Sequence, residues 1–87
     1  MRSKFHQAKS RAVKRKHGTS LRDAHQIFDQ VYLVDQRNDD PAQLRAIGWC
    51  GGRLCSVIFE IRKGEYYHLI TAWAATSEEE QSYAENA

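Results

Sequence analysis

The sequence predicts an α+β fold: two N-terminal helices, an antiparallel sheet of three to four strands, and a C-terminal helix. Three observations predict it. Apolar residues recur at helical spacing after residue 20. The segment RLCSVIFEI, residues 53–61, is rich in β-branched side chains and alternates in polarity. The connections are short, which favours strands paired antiparallel with their neighbours.

The first helix is expected over residues 7–17, with Ala8, Ala12 and Val13 as a thin apolar stripe. Gly18 suits the left-handed residue that closes such a helix. Ser20 is placed to cap the second helix, and the carboxylate of Asp23 favours its positive end. Leu21, Ala24, Ile27, Phe28 and Val31 are expected to face the core. VYLVD, 31–35, reads as a strand; QRNDDPAQ, 36–43, as a polar loop; LRAIGW, 44–49, as a second strand before a Gly–Gly turn. In the third strand, Cys55, Val57, Phe59 and Ile61 form the more apolar face and should meet the helices. RKGE turns into YYHLITAW, 66–73. Thr76 or Ser77 then caps a helix whose first turn holds three glutamates.

The chain has 87 residues, enough for one domain, expected to span 1–87. No apolar run approaches the ~18 residues that span a bilayer, and the basic N-terminus lacks the apolar stretch of a secretory signal, so a cytoplasmic protein is expected. Cys50 and Cys55 flank GGRL; in that compartment they are expected to be two small half-buried thiols rather than a disulfide. His6, His17, His25 and His68 are too scattered for a finger-type zinc site, and no metal or other cofactor is expected. No glycine-rich loop precedes a helix, which removes nucleotide-triphosphate chemistry of the P-loop kind. Asp39 and Asp40 are adjacent in the polar loop and read as solvated charge; Ser10, Ser20 and Ser56 have no triad context.

The charge is strongly uneven. The formal net charge is +2, yet residues 1–17 carry seven Lys or Arg and no acid, and the remainder carries a net −5. A basic arm on an acidic body suggests a polyanion partner. The cations and aromatics suit RNA: cations bind phosphate, aromatic rings stack on unpaired bases, and the 2′-hydroxyl is an internal nucleophile. Cleavage through that hydroxyl needs groups that move protons and cations that hold the developing charge. His17 and His68 are the candidate acid and base, because imidazole titrates near neutrality. Lys16, Arg45 and Arg62 complete the candidate catalytic set. Lys9, Arg11, Lys14, Arg15, Arg53, Tyr66 and Tyr67 are candidates for RNA binding, and Trp49 and Trp73 for a protein partner.

The pattern resembles the BrnT family of bacterial type II toxins, small ribonucleases of RelE-like fold. Lys9 stands ahead of KHGTSLRDA, residues 16–24; Ile27–Phe28, Arg45 and Gly48 follow; HLITAW, 68–73, fills the late strand; and ATSEEEQSY keeps Thr76, Glu79 and Tyr83 in register. The similarity covers roughly residues 5–83. It implies metal-independent cleavage of mRNA, neutralisation by a BrnA-like ribbon-helix-helix antitoxin, and contact with operator DNA through that antitoxin. The sequence departs from the family pattern at Phe5 and His6, in place of a Trp–Asp pair, and at His68 and Trp73, in place of two arginines. A toxin-fold protein acting mainly as antitoxin partner and co-repressor is the alternative that these departures raise.

Overall fold

The computed structural model of the chain describes residues 2–36, 40, 42–64 and 66–87, Arg2 by its backbone alone. The elements run β1 (Arg2–Lys4), α1 (Gln7–His17), α2 (Leu21–Ala24) with a following 3-10 turn (His25–Asp29), β2 (Tyr32–Gln36), β3 (Leu44–Cys50), β4 (Arg53–Arg62), β5 (Tyr66–Ala74) and α3 (Ser77–Asn86). The five strands form one sheet in the order β1-β5-β4-β3-β2. No helix among the described residues is long and apolar enough to cross a membrane. The centre of the 36–43 loop, with Asp39 and Pro41, and Glu65 in the last hairpin lie outside the described residues.

Local signals account for the helix boundaries. Gly18 closes α1 at φ 77°, a left-handed conformation that costs glycine little, and its N–H donates to the Lys14 carbonyl. The Ser20 hydroxyl accepts from the Asp23 N–H at 3.0 Å and starts α2. Buried Ser10 ties the two helices together, its hydroxyl accepting from the Arg22 N–H at 3.2 Å. At the far end, Thr76 and Glu79 form a complete capping box, each side chain accepting from the other's backbone N–H.

The antiparallel sheet is larger than the sequence suggests. The addition is β1, which pairs parallel with β5 through Arg2↔Tyr66, Ser3↔Tyr67 and Lys4↔His68. Three polar residues have no alternation to read; β1 exists because the edge of β5 offers it a ladder. The second helix is also shorter than expected. One α-turn passes into a 3-10 turn, and Gln30 is already extended. The helical period therefore stops before Val31, which is 68% exposed rather than in the core.

One face of the sheet meets α1, α2 and the 3-10 turn. Leu21, Ala24 and Ile27 press against Ala46, Val57, Phe59, Leu69 and Ala72, with Phe5, Phe28, Tyr32, Leu44 and Tyr67 at the margin. Cys55, Val57 and Phe59 face the helices as their alternation requires, but Ile61 lies past the helices and is 56% exposed. Gly48 lies where the 3-10 turn crosses β3. A Cβ there would stand 2.8 Å from Ile27 Cγ2 and 3.2 Å from Tyr32 Cβ, so the close approach requires glycine. Cys50 and Cys55 are fully buried rather than half-buried, with Sγ atoms 3.1 Å apart. On the opposite face α3 lies against β3 and β2, its Tyr83 hydroxyl donating to the Val31 carbonyl.

Candidate functional site

β1 covers the outer edge of β5 only as far as His68; beyond it, α1 takes the place of a strand. This directs one side of the basic helix at β5. Lys9 and Lys16 are seven residues apart, two helical turns, and so share that side. With Ala8, Ala12, Val13 and His17 they face Ile70 and Thr71 across a groove. The His17 ring lies at the end of the groove, its centroid 6.4 Å from that of Trp73 and tilted by 58°. The capping by Gly18 is what leaves His17 as the last helical residue, beside β5.

Trp73 leads on to a polar cluster. Its indole N–H donates to Glu79 Oε1 at 2.9 Å, the oxygen that also accepts from the Thr76 N–H. The other carboxylate oxygen accepts from Arg45 Nη1 at 3.0 Å, and Arg45 makes a two-pronged pair with Asp35 on β2 through Nε and Nη2. Glu79 is buried, 6% exposed. Burial pushes its carboxyl up, but the Thr76 N–H, the Trp73 indole, the Ser56 hydroxyl and the Arg45 charge together outweigh it and hold the group below the usual carboxylate range. The fully buried Ser56 hydroxyl contributes by its nearness, since it makes no hydrogen bond of good geometry. The Asp35 hydrogen bond raises Arg45 further above its already high value, against the opposing effect of burial.

The residues expected in the catalytic set divide. Lys16 and His17 lie together at the groove. Arg45 sits next to Trp73 through Glu79, but its donors are engaged by two carboxylates, so its first role is to bind β2, β3 and α3 to one another. His68 lies opposite Glu60 on β4, whereas Trp73 lies opposite Ser56. That is four residues along the strand, about 13 Å, so His68 and His17 do not converge on one phosphate. Arg62 pairs with Tyr66 at the far end of β4, about 20 Å from the level of Trp73 by the same rise, and forms an ion pair with Glu60 at 2.7 Å.

The expected RNA contacts divide as well. Lys9 lines the groove. Arg11 and Lys14 face the other way, toward Ser20, Arg22 and Asp23, and Arg15 is exposed. Arg53 donates to the Gly18 carbonyl at 3.0 Å and to the Thr19 hydroxyl at 2.6 Å, so it braces the joint between α1 and α2. Tyr67 packs on Phe59 and Phe28 at centroid distances of 4.5 and 4.8 Å; its ring is occupied by the core and is not free to stack on a base. Tyr66 lies under the Lys4 ammonium, 4.5 Å from the ring centroid. Of the expected partner-binding tryptophans, Trp49 is 43% exposed and Trp73 is half-buried.

Asp35 and the polar role of Glu79 carry no signal in the sequence that marks them as part of the site. The Thr76–Glu79 spacing signals a cap, but nothing local joins Glu79 to Arg45, 34 residues earlier. Among the described residues no three His, Cys, Asp or Glu come together as a metal site.

No protein-family model matches the chain, and no curated protein matches it by sequence. A solved structure does match: the crystal structure of the Brucella abortus ribonuclease toxin BrnT, with a TM-score of 0.71 and 24% identity, covering 88% of this chain and all of that one. The fold of this chain is therefore that of the ribonuclease toxin BrnT.

Proposed function

We propose that this chain is the toxin of a bacterial type II toxin–antitoxin pair, an endoribonuclease that cleaves mRNA without a metal ion and is silenced by a BrnA-like ribbon-helix-helix antitoxin. The observation that carries this reading is the BrnT fold combined with a cationic edge on it: Lys9, Lys16 and His17 lined up beside Thr71 and Trp73. RNA runs along this edge. Lys9 and Lys16 hold phosphate as point charges. The 2′-hydroxyl attacks the adjacent phosphorus and loses its proton, the bond to the 5′-oxygen breaks, and that oxygen gains a proton. A cyclic phosphate and a 5′-hydroxyl result. His17 takes the proton from the 2′-hydroxyl, water gives a proton to the departing 5′-oxygen, and His17 then returns its proton to the solvent, so both end as they began. The antitoxin covers the same edge together with Trp73 and the exposed Trp49, and carries the pair to operator DNA.

The test is expression in a bacterium with and without the candidate antitoxin, paired with analysis of RNA incubated with pure protein and EDTA. Growth arrest relieved by the antitoxin, with products ending in cyclic phosphate, supports the reading. Unimpeded growth with uncut RNA contradicts it.

A second reading has a specific observation in its favour. Arg45 is held by two carboxylates and Arg62 by one, and His68 is remote from His17. The cationic edge therefore has fewer free groups than the sequence suggests, as suits a toxin-fold protein acting mainly as antitoxin partner and co-repressor. Antitoxin binding with no RNA cleavage would select it.

A further inference from the structure

The groove between α1 and β5 has two chemistries in one place. Its volume is about 620 Å³, within the usual range for sites that hold a small organic group. Ala8, Ala12 and Val13 on the helix and Ile70 on the strand make it apolar, while Lys9, Lys16 and His17 stand along its rim with no acid among the lining residues. The space exists because positions 8 and 12, one turn apart, are alanines. On the strand side, Leu69 pairs with Phe59 and Thr71 with Ile58, which leaves Ile70 as the extra residue of a β-bulge. β1 has ended by that level, so no strand lies outside Ile70 either. The bulge re-aims its side chain into the groove.

We propose that this groove is a nucleotide subsite: it takes the base of one unpaired nucleotide, whose phosphate lies on Lys9 and Lys16. The proposal rests on the reading that RNA is the ligand of this edge, and it adds where a base is read. An occupant must have an apolar body and a negative charge a few bonds away, and a nucleotide has both in that order. The imidazole of His17, itself against Trp73, closes the end of the groove with a flat face on which a base can stack. An amphipathic acidic segment of a protein partner is the competing occupant, with the same charges but no need of a flat surface.

The experiment measures binding of the wild-type protein to a short single-stranded RNA, 2′-O-methylated so that it cannot be cut, and to the same strand made abasic at one position at a time. It then repeats the series with A12L and A8L, which fill the groove from exposed positions with a good helix former. Circular dichroism verifies that each variant is folded. The subsite predicts that one abasic position weakens wild-type binding roughly tenfold, the usual worth of a base contact, with the salt slope unchanged because the phosphates remain. It also predicts that A12L loses about the same factor on intact RNA and nothing further on the abasic strand. Wild-type protein that binds RNA with no abasic effect overturns the subsite and leaves the RNA reading standing. Wild-type protein that binds no RNA overturns both. A12L that keeps RNA affinity and loses antitoxin affinity overturns the subsite and assigns the groove to the protein partner.

Discussion

The indole N–H of Trp73 donates to Glu79 Oε1 at 2.9 Å, while the opposite oxygen of the same carboxylate accepts from Arg45. One buried glutamate thus caps α3, fixes the last residues of β5 and neutralises an arginine of β3. Its removal leaves three donors without their acceptor. Glu79→Ala is expected to cost about 2–3 kcal/mol: somewhat less than breaking a fully buried pair, since Arg45 is one-third exposed and keeps Asp35, plus the loss of a cap. Chemical denaturation checks this, and Thr76→Ala should lose only the capping part, about 1 kcal/mol.

The same carboxylate gives a pH dependence whose sign is fixed. The folded state holds Glu79 below its ordinary value near 4.5. Its stabilisation is then fully present above that value and is lost as pH falls through the lower, folded one. Denaturation midpoints should fall on acidification below about pH 4.5, and Glu79→Gln should flatten that part of the profile. An unaltered acid limb in the variant would show that other carboxylates control it.

Gly48 is required by packing rather than by its φ angle. Gly48→Ala sets a methyl 2.8 Å from Ile27 Cγ2 and should destabilise by about 1–3 kcal/mol, as overpacked cores do. A calorimetric melt of the variant is sufficient to test it.

Cys50 and Cys55 share one face of the β3–β4 hairpin with their sulfurs 3.1 Å apart. The Cys50 S–H, with help from Thr19 and Arg53 and against burial, brings the Cys55 thiol down to about 6, while Cys50 is pushed up. Diamide, which takes up the two thiol hydrogens, should convert the pair to a disulfide within one chain, and Cys50→Ser should abolish it. Intact-mass measurement decides: a chain that keeps both hydrogens after diamide contradicts the prediction.

What was legible in the sequence was whatever is encoded locally. The Gly18 stop, the Ser20 and Thr76 caps and the apolar face of Cys55, Val57 and Phe59 follow from spacings of a few residues, and each is formed. β1 was not legible, because three polar residues pair only when β5 is already in place. Val31 misled because the helix tightens into a 3-10 turn before reaching it. The site divides by the same logic. Lys9, Lys16 and His17 share one side of one helix and could be grouped by helical period. His68 could not be placed relative to His17 without the register of β5 on β4, and the carboxylates that occupy Arg45 come from β2 and α3.

Arg45 and His17 should therefore respond differently to truncation. Arg45→Ala is expected to lower stability by about 2 kcal/mol, because Glu79 loses its countercharge in a buried place. His17→Ala, at an exposed position with one ring contact, should leave the melting temperature nearly unchanged. Thermal melts of the two variants side by side test the contrast.

The most direct measurement of the central claim is the rate of RNA cleavage in EDTA by wild-type protein, His17→Ala and His68→Ala. Metal-free cleavage should fall by ~10²–10⁴-fold in His17→Ala, the usual worth of a proton-transfer group, and by no more than a few-fold in His68→Ala. A wild-type rate in folded His17→Ala, or a loss confined to His68→Ala, would contradict it.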